Sequence, residues 1–236
     1  MRAIILAGGK GTRLMPYTAV IPKPLMPVGE MPIVEILIKQ LQRTGVDRIT
    51  FALGHLAHLV QAVVGDGEKF GVRIDYSIED KRLGTSGPLT LIHDLDETFM
   101  VLNGDVLTDL NFEDITSFHK SHQSTITIAC HKRTVNIDYG VIHRNGFEVT
   151  RYEEKPKIEL YVSMGVYVFD PAVLKYLPQG SYLDFPDLVD RLIDRKDKVL
   201  IYPHDGIWFD LGRLEDFNMV HEIWDDLKDK IILNND

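Results

Sequence analysis

The chain opens with a short apolar run that leads straight into a glycine-rich loop: Ala3-Ile4-Ile5-Leu6 is followed by Ala7-Gly8-Gly9-Lys10-Gly11-Thr12-Arg13. The apolar run has the length and composition of a buried parallel strand. Three glycines in four positions let the backbone approach a ligand closely and direct several N–H groups at one anion. Arg13 adds a forked donor that suits phosphate oxygens. The stretch therefore predicts a strand and an anion-binding loop in an open α/β sheet.

The loop matches neither of the two common phosphate-binding fingerprints. A P-loop has Ser or Thr directly after its lysine, whereas Lys10 is followed by Gly11. A dinucleotide-binding loop has a glycine three residues after Gly11, where this chain has Leu14. Taken alone, the loop is also compatible with a tight strand-to-helix turn that binds nothing.

Apolar runs alternate with amphipathic segments through the first half of the chain. Further buried strands are predicted at 49–53 and 99–102, and helices at 32–44 and 56–64. This alternation predicts an α/β fold with a Rossmann-like, doubly wound sheet. In the second half, strand-like runs at 124–129, 139–143, 149–152 and 161–169 follow more closely, with a hairpin signal at Asn145-Gly146. We therefore expect a mixed sheet with a smaller β lobe, closed by a helix at 214–228.

Net charge, cysteine content and hydropathy restrict the binding partners and the cellular location that we expect. Lys and Arg total 26 against 35 Asp and Glu, giving a formal net charge of −9, which disfavours nucleic acid as a partner. Cys130 is the single cysteine, so no intrachain disulfide is expected. No apolar stretch approaches the roughly 20 residues of a membrane span, and the N-terminal run is too short for a signal peptide. We expect a cytoplasmic protein that needs no membrane.

Two lysines stand beside residues that restrict the backbone or supply charge. Pro22-Lys23-Pro24 keeps the chain extended and gives Lys23 few conformations, so it could act as a fixed positive charge. In Glu153-Glu154-Lys155-Pro156, an acid can accept hydrogen bonds from sugar hydroxyls, while Lys155 can bind a phosphate. Taken alone, each segment is more often an ordinary charged surface.

Two acidic residues are candidates for a metal site. Asp105 follows the predicted strand that ends at Leu102, and an acid at the end of a buried strand points into the binding crevice of an α/β sheet. Asp210 is flanked by apolar residues and is expected to be partly buried. Both could hold Mg²⁺, which commonly uses one or two carboxylates together with substrate phosphates. A turn at Asn103-Gly104-Asp105 and an ion pair or helix cap at Asp210 are the alternatives.

Six segments in this order resemble the sugar-1-phosphate nucleotidyltransferase family, also called NDP-sugar pyrophosphorylases. They are the glycine loop through Arg13, Pro22-Lys23-Pro24, Leu83-Gly84-Thr85-Ser86-Gly87, Asn103-Gly104-Asp105, Glu154-Lys155-Pro156 and Asp210. The resemblance covers nearly the whole chain. It implies an enzyme that joins an NTP to a sugar 1-phosphate, with Mg²⁺ as cofactor, and releases pyrophosphate and an NDP-sugar.

The resemblance also implies a role for each motif. It divides a single domain, 1–236, into a nucleotide-binding half at about 1–120 and a sugar-binding half with the closing helix at about 121–236. The implied catalytic residues are Arg13 and Lys23, and the implied metal ligands are Asp105 and Asp210. The implied nucleotide-binding residues are Leu6, Ala7, Gly8, Gly9, Gly11, Thr12, Gly84, Thr85 and Asp105. The implied sugar-phosphate-binding residues are Gly140, Glu153, Lys155 and Ser163.

Within the family, the opening and the segment at 83–87 look most similar to guanylyltransferases that act on mannose or heptose 1-phosphate. Glu79 or Asp80 could then accept the N–H donors of guanine. One departure concerns the sugar: many members have Asn-Ala-Gly where this chain has Ser163-Met164-Gly165. The same reaction with UTP, dTTP or CTP and with glucose 1-phosphate or another sugar therefore stays an alternative.

Two further alternatives belong to other classes. A metal-dependent glycosyltransferase usually carries Asp-x-Asp at its metal, but Asp105 is followed by Val106-Leu107. An inactive regulatory subunit would be expected to lack Arg13, Lys23 or a metal carboxylate, and all are present. The sequence leaves about two dozen residues after Asp210, so we expect no C-terminal β-helix. The resemblance also allows a homodimer, although no segment identifies an interface.

Overall fold

The computed structural model describes residues 1–232 and contains a seven-stranded central sheet with helices on both faces. In chain order the strands are β1 (Arg2–Ala7), β2 (Pro27–Val28), β3 (Met31–Pro32), β4 (Arg48–Leu53), β5 (Arg73–Ile78), β6 (Phe99–Asn103), β7 (Val106–Thr108), β8 (Ile126–Asn136), β9 (Gly140–Asn145), β10 (Glu148–Glu154), β11 (Lys157–Phe169), β12 (Val199–His204) and β13 (Trp208–Asp210). The helices are α1 (Ile33–Arg43), α2 (Ala57–Val64), α3 (Phe112–His122), α4 (Phe185–Asp194) and α5 (Leu214–Ile232).

The central sheet has the strand order β12-β8-β11-β6-β1-β4-β5. Strand β1 pairs in parallel with β4 on one side and with β6 on the other, and β4 pairs in parallel with β5. Strand β11 is antiparallel to both of its neighbours, β6 and β8, whereas β12 is parallel to β8. The prediction of a Rossmann-like, doubly wound mixed α/β sheet is therefore confirmed.

The chain reverses its direction of travel across the sheet at β1. It first moves outward through β4 and β5 and then returns to place β6 on the opposite side of β1. Such a switch point leaves a crevice beyond the carboxyl ends of the strands. The glycine loop leaves β1 and Asn103-Gly104-Asp105 leaves β6 at this edge, so the topology brings both motifs to one crevice.

The two faces of the sheet have separate apolar cores because successive strand residues point to opposite sides. Ala3 and Ile5 of β1 pack with α1, α2, α3 and α5, whereas Ile4 packs with α4 and the segment at 87–95. All three residues are fully buried. The sheet is thus covered on both sides, as its nearly parallel topology requires. Within residues 1–232, no helix combines the length and the hydropathy that a membrane span requires.

The second half departs from the bounds that the sequence suggests. The strand expected at 124–129 is β8, which runs on to Asn136, and the strand expected at 161–169 is β11, which begins at Lys157. The extra residues form an antiparallel ribbon in which Lys157 lies opposite Asn136. Because this ribbon leaves the apolar core, its polar residues give no buried-strand pattern. Strands β9 and β10 form a separate two-stranded hairpin beside it.

Candidate active site

A cavity of about 820 Å³ opens beyond the carboxyl ends of β1 and β6. Its wall combines the glycine loop, the segment at 79–85, the turn after β6 and Gly212 after β13. Most of the motifs that the sequence analysis identified therefore meet in one place. The predicted nucleotide-binding and catalytic residues that line the cavity are Leu6, Ala7, Gly8, Gly9, Gly11, Thr12, Arg13, Lys23, Gly84, Thr85 and Asp105.

The glycine loop is shaped by contacts that side chains would obstruct. Gly11 has a φ of 62°, and its carbonyl oxygen accepts a hydrogen bond of 2.7 Å from the hydroxyl of Thr18. A methyl group added at Gly8 would lie 2.8 Å from Oε1 of Glu79. Glycine at these two positions therefore permits a left-handed turn and a close approach to the cavity wall.

Lys23 is held in a short 3₁₀ turn that spans Lys23–Leu25, directly after the extended residue Pro22. Its ammonium group forms an ion pair with the carboxylate of Asp105. Burial lowers the pKa of Lys23 to about 8, and the nearby charge of Arg13 adds to this effect while Asp210 opposes it. The predicted fixed positive charge is thus a partly desolvated lysine at the base of the cavity.

Asp105 and Asp210 reach the same region although 104 positions in the sequence lie between them. Strands β7 and β13 pair so that Asp210 lies opposite Val106, and the N–H of Leu211 donates to the carbonyl oxygen of Asp105 at 2.9 Å. Asp105 is buried, and Asp210 is partly buried with Oδ2 3.6 Å from Nη1 of Arg13. The structure therefore brings the backbone segments of these two acidic residues into contact, although only Asp105 is among the residues that line the cavity.

The donor set beside Lys23 fits a hard divalent cation that is bound together with substrate. Within residues 1–232, no three His, Cys, Asp or Glu side chains form a group that could hold a metal by themselves. Asp105 and Asp210 would instead supply two carboxylate ligands, and phosphate oxygens would supply others, a common arrangement for Mg²⁺. Space for this is kept by Gly212, because a methyl group there would collide with Nζ of Lys23 and lie 2.8 Å from Oδ2 of Asp105.

Glu79 is the better placed of the two acids that the sequence analysis offered for base recognition. Its Oε2 accepts the N–H of Leu83 at 2.9 Å, and its Oε1 lies beside Gly8 and Gly54. Asp80 also lines the cavity but is exposed. The carboxylate of Glu79 is therefore fixed at the wall next to the glycine loop.

Asp184 lines the cavity as well, and sequence reasoning did not identify it. Its Oδ1 accepts the N–H of Thr85 at 3.1 Å, while the hydroxyl of Thr85 accepts the N–H of Phe185 at 2.7 Å. The hydroxyl of Thr85 thus helps to cap helix α4. Because it is already hydrogen-bonded there, Thr85 contributes to the shape of the cavity wall rather than a free hydroxyl group. The partners are about 100 positions apart, so no local pattern could have revealed them.

Comparison with known proteins identifies the family. The family model described as Nucleotidyl transferase matches residues 2–226. The chain belongs to the nucleotidyl transferase family. It is 35% identical to UTP–glucose-1-phosphate uridylyltransferase of Synechocystis, over 92% of this chain and 61% of that protein. It is 34% identical to mannose-1-phosphate guanyltransferase beta-B of Xenopus laevis, over 92% of this chain and 62% of that protein.

A solved structure shares the fold of this nucleotidyl transferase. The crystal structure of HddC from Yersinia pseudotuberculosis in complex with GMP-PN aligns with a TM-score of 0.72 and 25% identity, covering 94% of this chain and 99% of that one. The alignment thus covers nearly all of that solved chain, whereas this chain spans about three fifths of the length of the curated relatives named above.

The four predicted sugar-phosphate residues of this nucleotidyl transferase lie outside the residues that line the cavity. Gly140 begins β9 and is packed against the hydroxyl of Tyr152, while Glu153 on β10 pairs with His143. Lys155 is exposed after β10, and Ser163 on β11 donates to the hydroxyl of Tyr167 at 3.1 Å. Their role stays a prediction that depends on a ligand reaching from the cavity toward this hairpin.

Proposed function

We propose that this nucleotidyl transferase joins an NTP to a sugar 1-phosphate and releases pyrophosphate. The observation that carries the proposal is the convergence of the glycine loop, Arg13, Lys23 and Asp105 at the switch-point cavity, with Asp210 beside Arg13. Two anions must approach each other in this reaction, and these groups supply N–H donors and fixed positive charge for them. The curated relatives, named for transfer to glucose 1-phosphate and to mannose 1-phosphate, support the same class of substrates.

The proposed reaction is a single in-line displacement. A phosphate oxygen of the sugar 1-phosphate attacks the α-phosphorus of the NTP, a new P–O bond forms, and the bond to the β-phosphate oxygen breaks. Pyrophosphate leaves with the electron pair. Lys23 and Arg13 neutralise charge on the reacting phosphates, and the glycine-loop N–H groups orient the triphosphate. Mg²⁺, held by Asp105 and Asp210, would supply further neutralisation of the phosphate oxygens when bound.

We assign residues 1–232 to one functional unit with two roles, in line with the division proposed from the sequence. The glycine loop and the segment at 79–85 would bind the nucleotide in the half at about 1–120. The β9–β10 hairpin and β11 would bind the sugar phosphate in the half that begins at about 121. Mannose or heptose 1-phosphate is the proposed sugar, and glucose 1-phosphate is the alternative. A cytoplasmic location and a homodimer remain predictions from the sequence.

For the base, we propose guanine, recognised by Glu79. Guanine presents N1–H and the exocyclic amino group side by side, and a carboxylate can accept a hydrogen bond from each with its two oxygens. The fixed position of Glu79 at the cavity wall supports this assignment. Uracil and thymine instead present one donor between two carbonyl acceptors, which a carboxylate matches less well.

Exchanging Glu79 for glutamine is therefore expected to lower kcat/KM for GTP by about 10- to 10²-fold, because a hydrogen bond to a charged group contributes about 1.5–3 kcal/mol. The value for UTP should stay the same or rise, since the glutamine amide can both donate and accept. Steady-state kinetics with both nucleotides measure the ratio. The matched control is Glu113→Gln, at an exposed acid on α3 outside the cavity. An unchanged GTP-to-UTP ratio in Glu79→Gln would refute guanine recognition by this residue.

The reaction itself is tested by pyrophosphate release from the purified protein with Mg²⁺, across five NTPs and a series of sugar 1-phosphates. We expect release only in wells that contain one particular NTP together with one particular sugar phosphate. Release with NTP alone would indicate hydrolysis, and transfer from a finished NDP-sugar to an acceptor would indicate a glycosyltransferase. Either result would replace the proposed function.

A further inference from the structure

Asp216 is a buried carboxylate next to the proposed site, and the reaction described above does not use it. It lies in the first turn of α5 with 6% of its surface exposed. Its Oδ2 accepts the backbone N–H of Asp210 at 3.1 Å, and its Oδ1 lies 3.7 Å from Nη2 of Arg133 on β8. The side chain of Asp216 thus links β13, which carries a proposed metal ligand, to β8.

Arg133 is itself held from a second direction. Its guanidinium group lies 5.6 Å from the ring centroid of Trp208, the first residue of β13. The indole N–H of Trp208 donates to the carbonyl oxygen of Met164 on β11 at 3.0 Å. The pair formed by Arg133 and Asp216 therefore spans β8, β13 and α5, while Trp208 fastens β13 to β11.

The contacts of Asp210 explain what this pair can control. Oδ1 of Asp210 accepts the N–H of Gly212 at 2.9 Å, and its carbonyl oxygen accepts the N–H of Arg213 at 2.9 Å. With its own N–H donated to Asp216, the backbone of Asp210 is fixed on both sides. Its Oδ2 lies 3.6 Å from Nη1 of Arg13, which lines the cavity. Loss of the contact to Asp216 would leave the N–H of Asp210 without this acceptor and loosen the backbone that positions its carboxylate.

We propose that Asp216, balanced by Arg133, is a positioning residue that keeps the carboxylate of Asp210 ready to bind a divalent cation. This inference rests on the proposed function in that it takes Asp210 as a metal ligand. Ligands that are fixed by hydrogen bonds before the metal arrives bind it more tightly, and removing such outer partners typically costs about 10- to 10²-fold in metal affinity. Asp216 acts through Asp210 and need not touch the metal or the substrates.

The test measures Mn²⁺ binding to the full chain by electron paramagnetic resonance, with Mn²⁺ and GTP as the probe and no sugar 1-phosphate present, because phosphate oxygens complete the proposed metal site. We expect Asp216→Ala to weaken Mn²⁺ binding by about 10- to 10²-fold. Asp216→Asn keeps an acceptor for the N–H of Asp210 and should weaken it less, so the conservative variant partly rescues the effect. Should the alanine variant fail to fold, by circular dichroism, the comparison of Asp216→Asn with wild type carries the test. The control is Glu215→Ala, the exposed neighbour that pairs with Arg213.

A double-mutant cycle separates the pair from a general effect on packing. Because Arg133 is expected to act through Asp216, adding Arg133→Ala to Asp216→Ala should weaken Mn²⁺ binding by less than the product of the two single effects. Folded Asp216 variants that bind Mn²⁺ as wild type does would overturn the proposal, as would a wild-type protein that binds the nucleotide but no Mn²⁺. A wild type that binds Mn²⁺ yet releases no pyrophosphate would instead count against the proposed function alone.

Discussion

Replacing Lys23 with methionine is expected to lower kcat for pyrophosphate release by about 10²- to 10³-fold, the cost of losing one preorganised group that stabilises charge in a transition state. Lys23 is partly buried and paired with Asp105, so water screens its charge less than that of an exposed lysine. Methionine preserves much of the length and volume of the side chain while removing the charge. Steady-state kinetics with saturating substrates measure the change.

The control for this prediction is Lys120→Met, which removes an exposed lysine on α3. Its activity should match that of the wild type, and both variants should unfold at similar temperatures. A folded Lys23→Met protein with full kcat and an increased KM for the NTP would show that Lys23 contributes only to binding. Such a result would remove it from the catalytic residues that we propose.

The fold was predictable from the sequence where burial leaves a simple pattern. Strand β1 is an uninterrupted apolar run because both of its faces are covered, and helix α1 shows a clear apolar face that ends at Gly45. Strand β5 and helix α4 did not stand out. Residues such as Arg73 and Asp75 give β5 a mixed polar pattern at the sheet edge, where Arg48 of β4 pairs with Asp75. Edge position and the ion pair therefore hid β5, whereas α4 was missed although Leu188 and Leu192 give it a buried apolar face.

The candidate site was predictable to the extent that its residues carry a local signature. The glycine loop, Lys23 between prolines, and Asp105 after a buried strand are each marked by their neighbours in the sequence. Asp184 and Asp216 carry no such mark, since Asp184 is defined by contact with Thr85 and Asp216 by contact with Arg133. These pairs are about 80 to 100 positions apart, and only the folded chain brings them together.

Exchanging Asp210 or Asp105 for asparagine is expected to lower kcat/KM by about 10²- to 10³-fold, and to raise the Mg²⁺ concentration that gives half-maximal activity. Asparagine keeps the shape and one acceptor oxygen but removes the negative charge that a hard cation requires. Magnesium titrations of activity at fixed substrate concentrations measure both effects. Asp205→Asn, at an exposed acid near β13, should leave them unchanged.

The magnesium titration also separates two possible roles of Asp105, as a metal ligand and as the ion-pair partner of Lys23. Its carboxylate forms an ion pair with Lys23, so Asp105→Asn could reduce activity by releasing the lysine rather than by losing a metal ligand. In that case kcat would fall while the Mg²⁺ requirement stayed at its wild-type value, and only Asp210→Asn would raise it. If both carboxylates hold one ion, each variant shifts the Mg²⁺ requirement in the same direction. The double variant then loses less than the product of the two single losses, because the first substitution already removes the shared ion.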